Sequence, residues 1–252
     1  MKSRMQNIQI IILAAGNGTR MKSDLPKVMH KVGEKPMLER VLLNAKEVTD
    51  DVIIVYSEQL KKYLAPYKDI CKFALQDQQL GTAHATYAAI DLVDDNKITA
   101  ILYGDNPLIS PKIIRELLEH LVYTNSAVNT LCFKRNNPGQ YGRIIIDDVG
   151  NFLKIVEFKD ASEEEKTVQI CNSGVMTFKA GILRKYLKYS VLSDYITSKK
   201  ELYLTEMIGI CKDHGEKVSY LLSNNQNAVI GVNTKEELAI ANNIIETFAE
   251  LN

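Results

Sequence analysis

Over the first half of the chain, short apolar runs alternate with stretches of helical period. The run IIIL at 10–13 is rich in β-branched side chains and gives way at once to Ala14, Ala15 and Gly16, as a buried strand does where it ends in a loop. Met37, Leu38, Val41, Leu42, Ala45 and Val48 then recur at the spacing of one helix face, with Pro36 placed to begin it. A second strand is predicted over 51–56, a short helix around Tyr63 and Leu64, and a third strand over 71–75. Ala83, Ala85, Ala88 and Ala89 mark a helix, TAILY at 99–103 a strand, and Ile113, Ile114, Leu117, Leu118 and Leu121 a helix over 111–123. This alternation predicts an α/β fold: a Rossmann-like, mixed, mostly parallel sheet with helices on both faces, whose ligands sit beyond the carboxyl ends of the strands.

After residue 125 the character changes. AVNTLCF, GRIIID and NFLKIVE read as strands, and Asp147, Asp148, Val149, Gly150 and Asn151 as a hairpin connection between the last two. EKVSYLL reads as a further strand, and Leu238, Ala241, Ile245, Phe248 and Leu251 share a face of the last helix. The expected organisation is a single domain over 1–252, with a first half to about 125, an inserted β-rich half over about 126–233 and a C-terminal helix over about 234–252.

A chain of 252 residues can bury a sizeable core without staples. Its 31 Lys and Arg balance 31 Asp and Glu, so no global charge argues for nucleic acid or an anionic membrane, and any phosphate binding must be local. Cys71, Cys132, Cys171 and Cys211 form no CxxC pair and no ligand-like grouping with His30, His84, His120 or His214, as expected of reduced, mostly buried thiols in a cytoplasmic protein. The basic start and its apolar run are too short for a signal peptide, and no stretch approaches a membrane span.

The loop after the first strand carries the most chemistry. Gly16 and Gly18 permit positive φ and close approach of backbone N–H groups to an anion, while Arg20 and Lys27 add full positive charge. A triphosphate suits such a loop; a plain turn with two solvated cations has the same composition. A dinucleotide fingerprint begun at Gly16 would need its third glycine at Met21, and a P-loop would need Gly-Lys-Ser/Thr, so neither fits. Further on, Gln76 leaves a strand, Gly81 makes a turn and Thr82 is placed to cap the next helix. The Gln76 amide complements the N3–H and O4 edge of uracil, although a capped helix after a polar turn accounts for the same residues. Asp105 follows Tyr103 and Gly104 as an exposed strand-end carboxylate, sufficient for a magnesium ion that completes its shell with phosphate and water, and equally an Asp-Asn-Pro turn. In the second half, Gly142 abuts a strand, Glu157 ends one and Asn172 opens the run CNSGVMTF; an acid and an amide there suit sugar hydroxyl and acetamido groups, or an ordinary surface. Tyr203, Thr205 and Asn233 precede helices, where packing and capping also explain them.

The segment LAAGNGTRMKSDLPK resembles the signature loop of the sugar-1-phosphate nucleotidyltransferases, LAAG-x-GTRM followed by LPK. With QLGT, YGDNP, YGRI, YLTE and GVN following in order, nearly the whole chain is similar to the uridyltransferase half of the bacterial bifunctional N-acetylglucosamine-1-phosphate uridyltransferases. The resemblance implies the nucleotide-diphospho-sugar transferase fold and uridylyl transfer from UTP to N-acetylglucosamine 1-phosphate with Mg2+. It implies Arg20, Lys27 and Asp105 as catalytic residues, and Asp105 and Asn233 as metal contacts. Leu13, Ala14, Ala15, Gly16, Lys27, Gln76, Gly81, Thr82, Tyr103, Gly104, Asp105, Gly142, Glu157, Asn172 and Asn233 are its implied substrate contacts. Ala83 stands where the family has glycine, and Cys171, Ser173 and Phe158 depart from its best-known members, which bears on sugar selectivity. Two other readings stand beside this one: a nucleotidyltransferase of the same fold using UTP or dTTP with glucose 1-phosphate, and a catalytically silent nucleotide-sugar-binding protein. The family's hexapeptide-repeat β-helix, which carries acetyltransferase activity and trimer contacts, has no counterpart in these residues, so no acetyltransferase activity is expected and the oligomeric state stays open.

Overall fold

A computed structural model describes residues 7–192 and 202–250. Leu251 and the basic start of the chain lie outside them, as does the Phe248 side chain. The first strand, β1 (Ile8–Leu13), is buried along its whole length. Side chains alternate across a strand, so Ile8, Ile10 and Ile12 enter one core and Ile11 and Leu13 the other. A continuous apolar run is therefore what a strand covered on both faces requires.

A two-stranded ribbon follows, β2 (Lys31–Val32) with β3 (Lys35–Pro36), and then α1 (Met37–Lys46), β4 (Val52–Tyr56) and β5 (Lys72–Leu75). The helix expected near Tyr63 is two 3-10 turns, Lys61–Tyr63 and Ala65–Tyr67. Pro66 lacks an N–H, and its ring opposes a continuous α-helix through this stretch. Next come α2 (Thr82–Ala88), β6 (Ile98–Tyr103) and α3 (Pro111–Thr124), which Ser110 caps by accepting from the Ile113 N–H at 3.3 Å.

The remaining elements are β7 (Val128–Lys134), β8 (Arg143–Ile146), β9 (Phe152–Val156), α4 (Glu163–Lys166), β10 (Ile170–Phe178), α5 (Ile182–Leu192), α6 (Glu206–Asp213), β11 (Val218–Ser223) and α7 (Lys235–Glu250). The main sheet runs β11-β7-β10-β6-β1-β4-β5. Pairing is parallel except around β10, which is antiparallel to β6, β7 and β8, and between β8 and β9, which are antiparallel to each other. The later strands thus extend the first sheet, and the β8–β9 hairpin hangs from β10 through Cys171 and Arg143. Helices α1 and α3 cover one face, while α2, α5 and α6 cover the other. Helix α7 lies over the ribbon, where Val32, Met37, Val232 and Ala241 form a small third core. Among the described residues no helix is long and apolar enough to cross a membrane.

Candidate functional site

From β1 the chain winds outward to β4 and β5, then returns to β6 on the other side of β1. This reversal of winding puts a crevice beyond the carboxyl ends of β1 and β6. Leu13 and Tyr103 are register partners, and the Gly104 N–H donates to the Leu13 carbonyl at 2.9 Å, so the loops leaving both strands rise together. The cleft above them holds about 490 Å³ and is walled by Leu13, Ala14, Ala15, Gly16, Arg20, Lys27, Gln76, Gly81, Thr82, Tyr103, Asp105 and Asn233.

The glycines divide their work differently from expectation. Gly18 takes a left-handed φ of 60°, and a Cβ there would fall 2.5 Å from the Lys27 Cβ. Gly16 does not take a left-handed φ, and nothing lies within 4 Å of where its Cβ would stand. Of the two glycines Gly18 alone needs positive φ, where the loop folds back over Lys27; Gly16 leaves its side of the cleft open. Gly104 is required by packing, since a Cβ would meet Ala14 and Val28 at 3.2 Å. Buried Met21 and Val28 anchor the loop on either side of its exposed turn.

Four polar side chains converge at the cleft mouth. The Lys27 ammonium pairs with the Asp105 carboxylate and donates to Asn233 Oδ1 at 2.9 Å, and the Arg20 guanidinium donates to the same Oδ1 at 2.9 Å. Asp105 is not the exposed carboxylate expected from sequence: the Lys27 and Asp105 side chains are only 12% and 14% exposed. Asn233 does not cap α7 either. Thr234 does, its hydroxyl accepting from the Glu237 N–H at 3.2 Å while the Glu237 carboxylate accepts from the Thr234 N–H at 3.1 Å and the Asn233 N–H at 2.6 Å. That reciprocal cap leaves the Asn233 side chain to the site, and the Val232 N–H donates to the Asp105 carbonyl at 2.8 Å, tying the two loops together. Among the described residues no three His, Cys, Asp or Glu side chains group as metal ligands. Asp105 and Asn233 nevertheless focus two oxygens on one ammonium, and such hard donors suit magnesium as well.

On the far wall, buried Gln76 donates through Nε2 to the Gly81 carbonyl at 3.3 Å and lies 3.1 Å from His84 Nδ1. Thr82 was expected to cap α2, but Gly81 holds that position with φ 111° and the Thr82 hydroxyl accepts from the Leu204 N–H at 2.9 Å. Gly81 is there because the Leu202 backbone lies against it, its carbonyl accepting from the Ala83 N–H at 2.9 Å.

Gly142, Glu157 and Asn172 assemble beside this cleft, outside its walls. The Asn172 N–H donates to the Gly142 carbonyl at 2.9 Å, and a Cβ on Gly142 would lie 3.4 Å from Glu157 Oε2. Asn172 lies inside β10 at a bulge, not at its end, and its Oδ1 accepts from the Thr130 hydroxyl at 2.9 Å and the Gly174 N–H at 3.2 Å. Glu157 accepts from the Thr205 hydroxyl at 3.0 Å, so Thr205 leaves α6 without a side-chain cap. Burial raises the Glu157 carboxyl above its ordinary range, and Asp160 and Glu206 add to the shift. Glu157, Tyr203 and Thr205 share a separate hollow of about 210 Å³. Tyr103 stands between the two groups: burial pushes its phenol well above the usual range, and the Asp105 and Glu157 carboxylates both contribute. Sequence reasoning missed Asn17 and Gln79, which also line the cleft, and His84, which steadies Gln76. The polar run QDQQ was the signal for Gln79.

Residues 10–157 match the MobA-like NTP transferase domain. The chain is 38% identical over 237 residues to the bifunctional protein GlmU of Desulfotalea psychrophila, spanning 93% of this chain and 69% of that protein. It is 39% identical over 240 residues to GlmU of Gluconobacter oxydans and 36% identical over 240 residues to GlmU of Clostridioides difficile, and covers only about half of each (51% and 52%). A crystal structure described as a glucose-1-phosphate thymidylyltransferase from Bacillus anthracis, in complex with a sucrose, superposes over 94% of both chains with a TM-score of 0.75 at 19% identity, which shows the shared fold. By motif order, family match and relatives alike, the chain belongs to the MobA-like NTP transferase family of nucleotidyltransferases.

Proposed function

We propose that this chain transfers uridylyl from UTP to N-acetylglucosamine 1-phosphate, releasing pyrophosphate. The observation that carries the reading is the convergence of Arg20, Lys27, Asp105 and Asn233 at the mouth of a switch-point cleft, two cations and two oxygen donors where phosphates must meet. The choice of uridine and N-acetylglucosamine rests on the likeness to the GlmU proteins and on the family pattern that Gln76, Gly81, Glu157 and Asn172 match.

In the reaction, an oxygen of the sugar phosphate attacks the α-phosphorus of UTP while the bond from that phosphorus to the bridging β-phosphate oxygen breaks. Arg20, Lys27 and the amides of the Gly16–Gly18 loop would hold the β- and γ-phosphates and stabilise the departing pyrophosphate. Gln76 would pair with the uracil edge. Gly142, Glu157 and Asn172 would orient the sugar, and Tyr103 would divide the sugar from the nucleotide. A magnesium ion held by Asp105 and Asn233 would neutralise phosphate charge. Neither a Ser–His nor a Cys–His pair is part of this cleft, and positioning with charge neutralisation supplies the catalysis.

The test is pyrophosphate release with Mg2+, comparing UTP and dTTP against N-acetylglucosamine 1-phosphate, glucose 1-phosphate and glucosamine 1-phosphate. Preference for UTP with N-acetylglucosamine 1-phosphate is expected. Preference for another pair would move the specificity while keeping the reaction, and silence with all would refute the assignment.

A further inference from the structure

Behind the far wall of the cleft stands a histidine to which the proposed reaction gives no role. His84 lies half-buried in the first turn of α2, with its Nδ1 3.1 Å from Nε2 of Gln76, and the same Nε2 donates to the Gly81 carbonyl at 3.3 Å. A carbonyl oxygen can only accept, so the atom of the Gln76 amide that faces Gly81 must be its nitrogen. That nitrogen can only donate. His84 Nδ1 must therefore be the acceptor, and the imidazole carries its proton on Nε2.

Both protons of the Gln76 amide are thus committed inside the protein. Its Oε1 has no partner among the described residues and is not sealed from water, so what this buried side chain offers the cleft it lines is an acceptor alone. The arrangement is stiff on both sides. The Gln76 N–H donates to the Tyr56 carbonyl at 2.8 Å, and the Gly81 carbonyl also accepts from the Ala85 N–H at 3.0 Å. The two residues before His84 are pinned to the segment that leads into α6: the Ala83 N–H donates to the Leu202 carbonyl at 2.9 Å, and the Thr82 hydroxyl accepts from the Leu204 N–H at 2.9 Å.

We infer that His84 is a positioning residue for the choice of nucleobase: by taking the second amide proton of Gln76 it makes that side chain a one-sided acceptor, which admits a base with a ring N–H at the pairing position and disfavours one with a bare ring nitrogen there. The inference rests on the function proposed above, with Gln76 at the base. Uracil and thymine present N3–H to such an acceptor. Cytosine presents an unprotonated N3, which sets two acceptors against each other. A site built around one hydrogen bond rejects the analogue that cannot make it, because a buried polar group is then left unpaired. His84 is not among the residues that wall the cleft, and it acts through Gln76.

The experiment measures pyrophosphate release from UTP and from CTP, each with Mg2+ and saturating N-acetylglucosamine 1-phosphate, in wild type, His84→Leu and His84→Asn. Leucine removes the acceptor at similar volume, whereas asparagine restores one at the δ position; thermal unfolding checks that each variant is folded. Wild type is expected to prefer UTP. In His84→Leu the Gln76 amide is free to turn its second N–H toward the base, and the UTP-to-CTP ratio of kcat/KM should fall by about tenfold, the worth of one hydrogen bond. The KM for the sugar phosphate should not move, and His84→Asn should recover most of the ratio. A packing role would lower kcat/KM for both nucleotides together and leave the ratio intact, which would overturn the inference. So would an asparagine variant no more selective than the leucine one, or a wild type that prefers CTP. A wild type silent with both nucleotides would overturn the proposed reaction, and the inference with it.

Discussion

Lys27→Met is expected to move metal affinity and turnover in opposite directions. The Lys27 ammonium is a tethered cation on the two oxygens proposed for magnesium, paired with Asp105 and 2.9 Å from Asn233 Oδ1. A divalent cation must displace it. Charge-assisted hydrogen bonds contribute about 1.5–3 kcal/mol, and with both side chains only 12% and 14% exposed, water screens this pair incompletely. Removing the ammonium should therefore tighten Mn2+ binding to the nucleotide-free protein by roughly tenfold, the equivalent of about 1.4 kcal/mol. It should also leave the Asp105 carboxylate unpaired and cost about 1–3 kcal/mol of unfolding free energy, read from urea melts. Turnover should fall on the order of a hundredfold or more, because the donor proposed to face the leaving pyrophosphate is gone. Calorimetry with Mn2+, urea unfolding and pyrophosphate release measure the three effects. Weaker or unchanged Mn2+ binding in the variant would refute the placement of metal and lysine on the same oxygens, and undiminished turnover would refute the role of Lys27 at the phosphates.

Two glycine substitutions separate fold from site. Gly18→Ala, at a φ of 60° with Lys27 in the way, should destabilise the protein by about 1–3 kcal/mol in thermal or urea unfolding. Gly16→Ala should leave stability within about 0.5 kcal/mol but raise the KM for UTP; an unchanged KM would remove Gly16 from the nucleotide site. At Glu157, burial raises the folded-state pKa above the ordinary carboxyl value, so the native state binds the proton more tightly than the unfolded chain. This contribution to stability is full below the unfolded pKa and is lost as pH rises through the folded pKa. Glu157→Gln, which retains an acceptor for Thr205, should therefore gain stability relative to wild type between acid and neutral pH; parallel pH profiles would contradict the burial argument.

The first strand, its loop and the alternation of strands and helices were legible because each is written in neighbouring residues. Ile10 to Leu13 form an apolar run because both faces of β1 are covered, and the residues at helical spacing in α1 and α3 became their buried stripes. Where the reading slipped, a distant partner had intervened. Thr82 is a good cap by local rules, but the Leu204 N–H claims its hydroxyl from 122 positions away, and Thr205 is likewise drawn to Glu157. Asn233 looked like a cap because Thr234 and Glu237, which form the actual one, occupy the same few positions.

The sequence by itself determined most of the elements, though not the β2–β3 ribbon, α4 or α5, together with their order and the chemistry that each loop brings, since periodicity, turn residues and charge act over a few positions. Tertiary structure decided which of those groups share a site. Arg20 and Asn233 are 213 positions apart and meet because β6 returns beside β1 while α7 folds back over the β2–β3 ribbon. Burial was decided there too: Asp105 reads in sequence as an open strand-end carboxylate, and only the packing of Gly104 against Ala14 and Val28, with Lys27 folded over it, closes it from water.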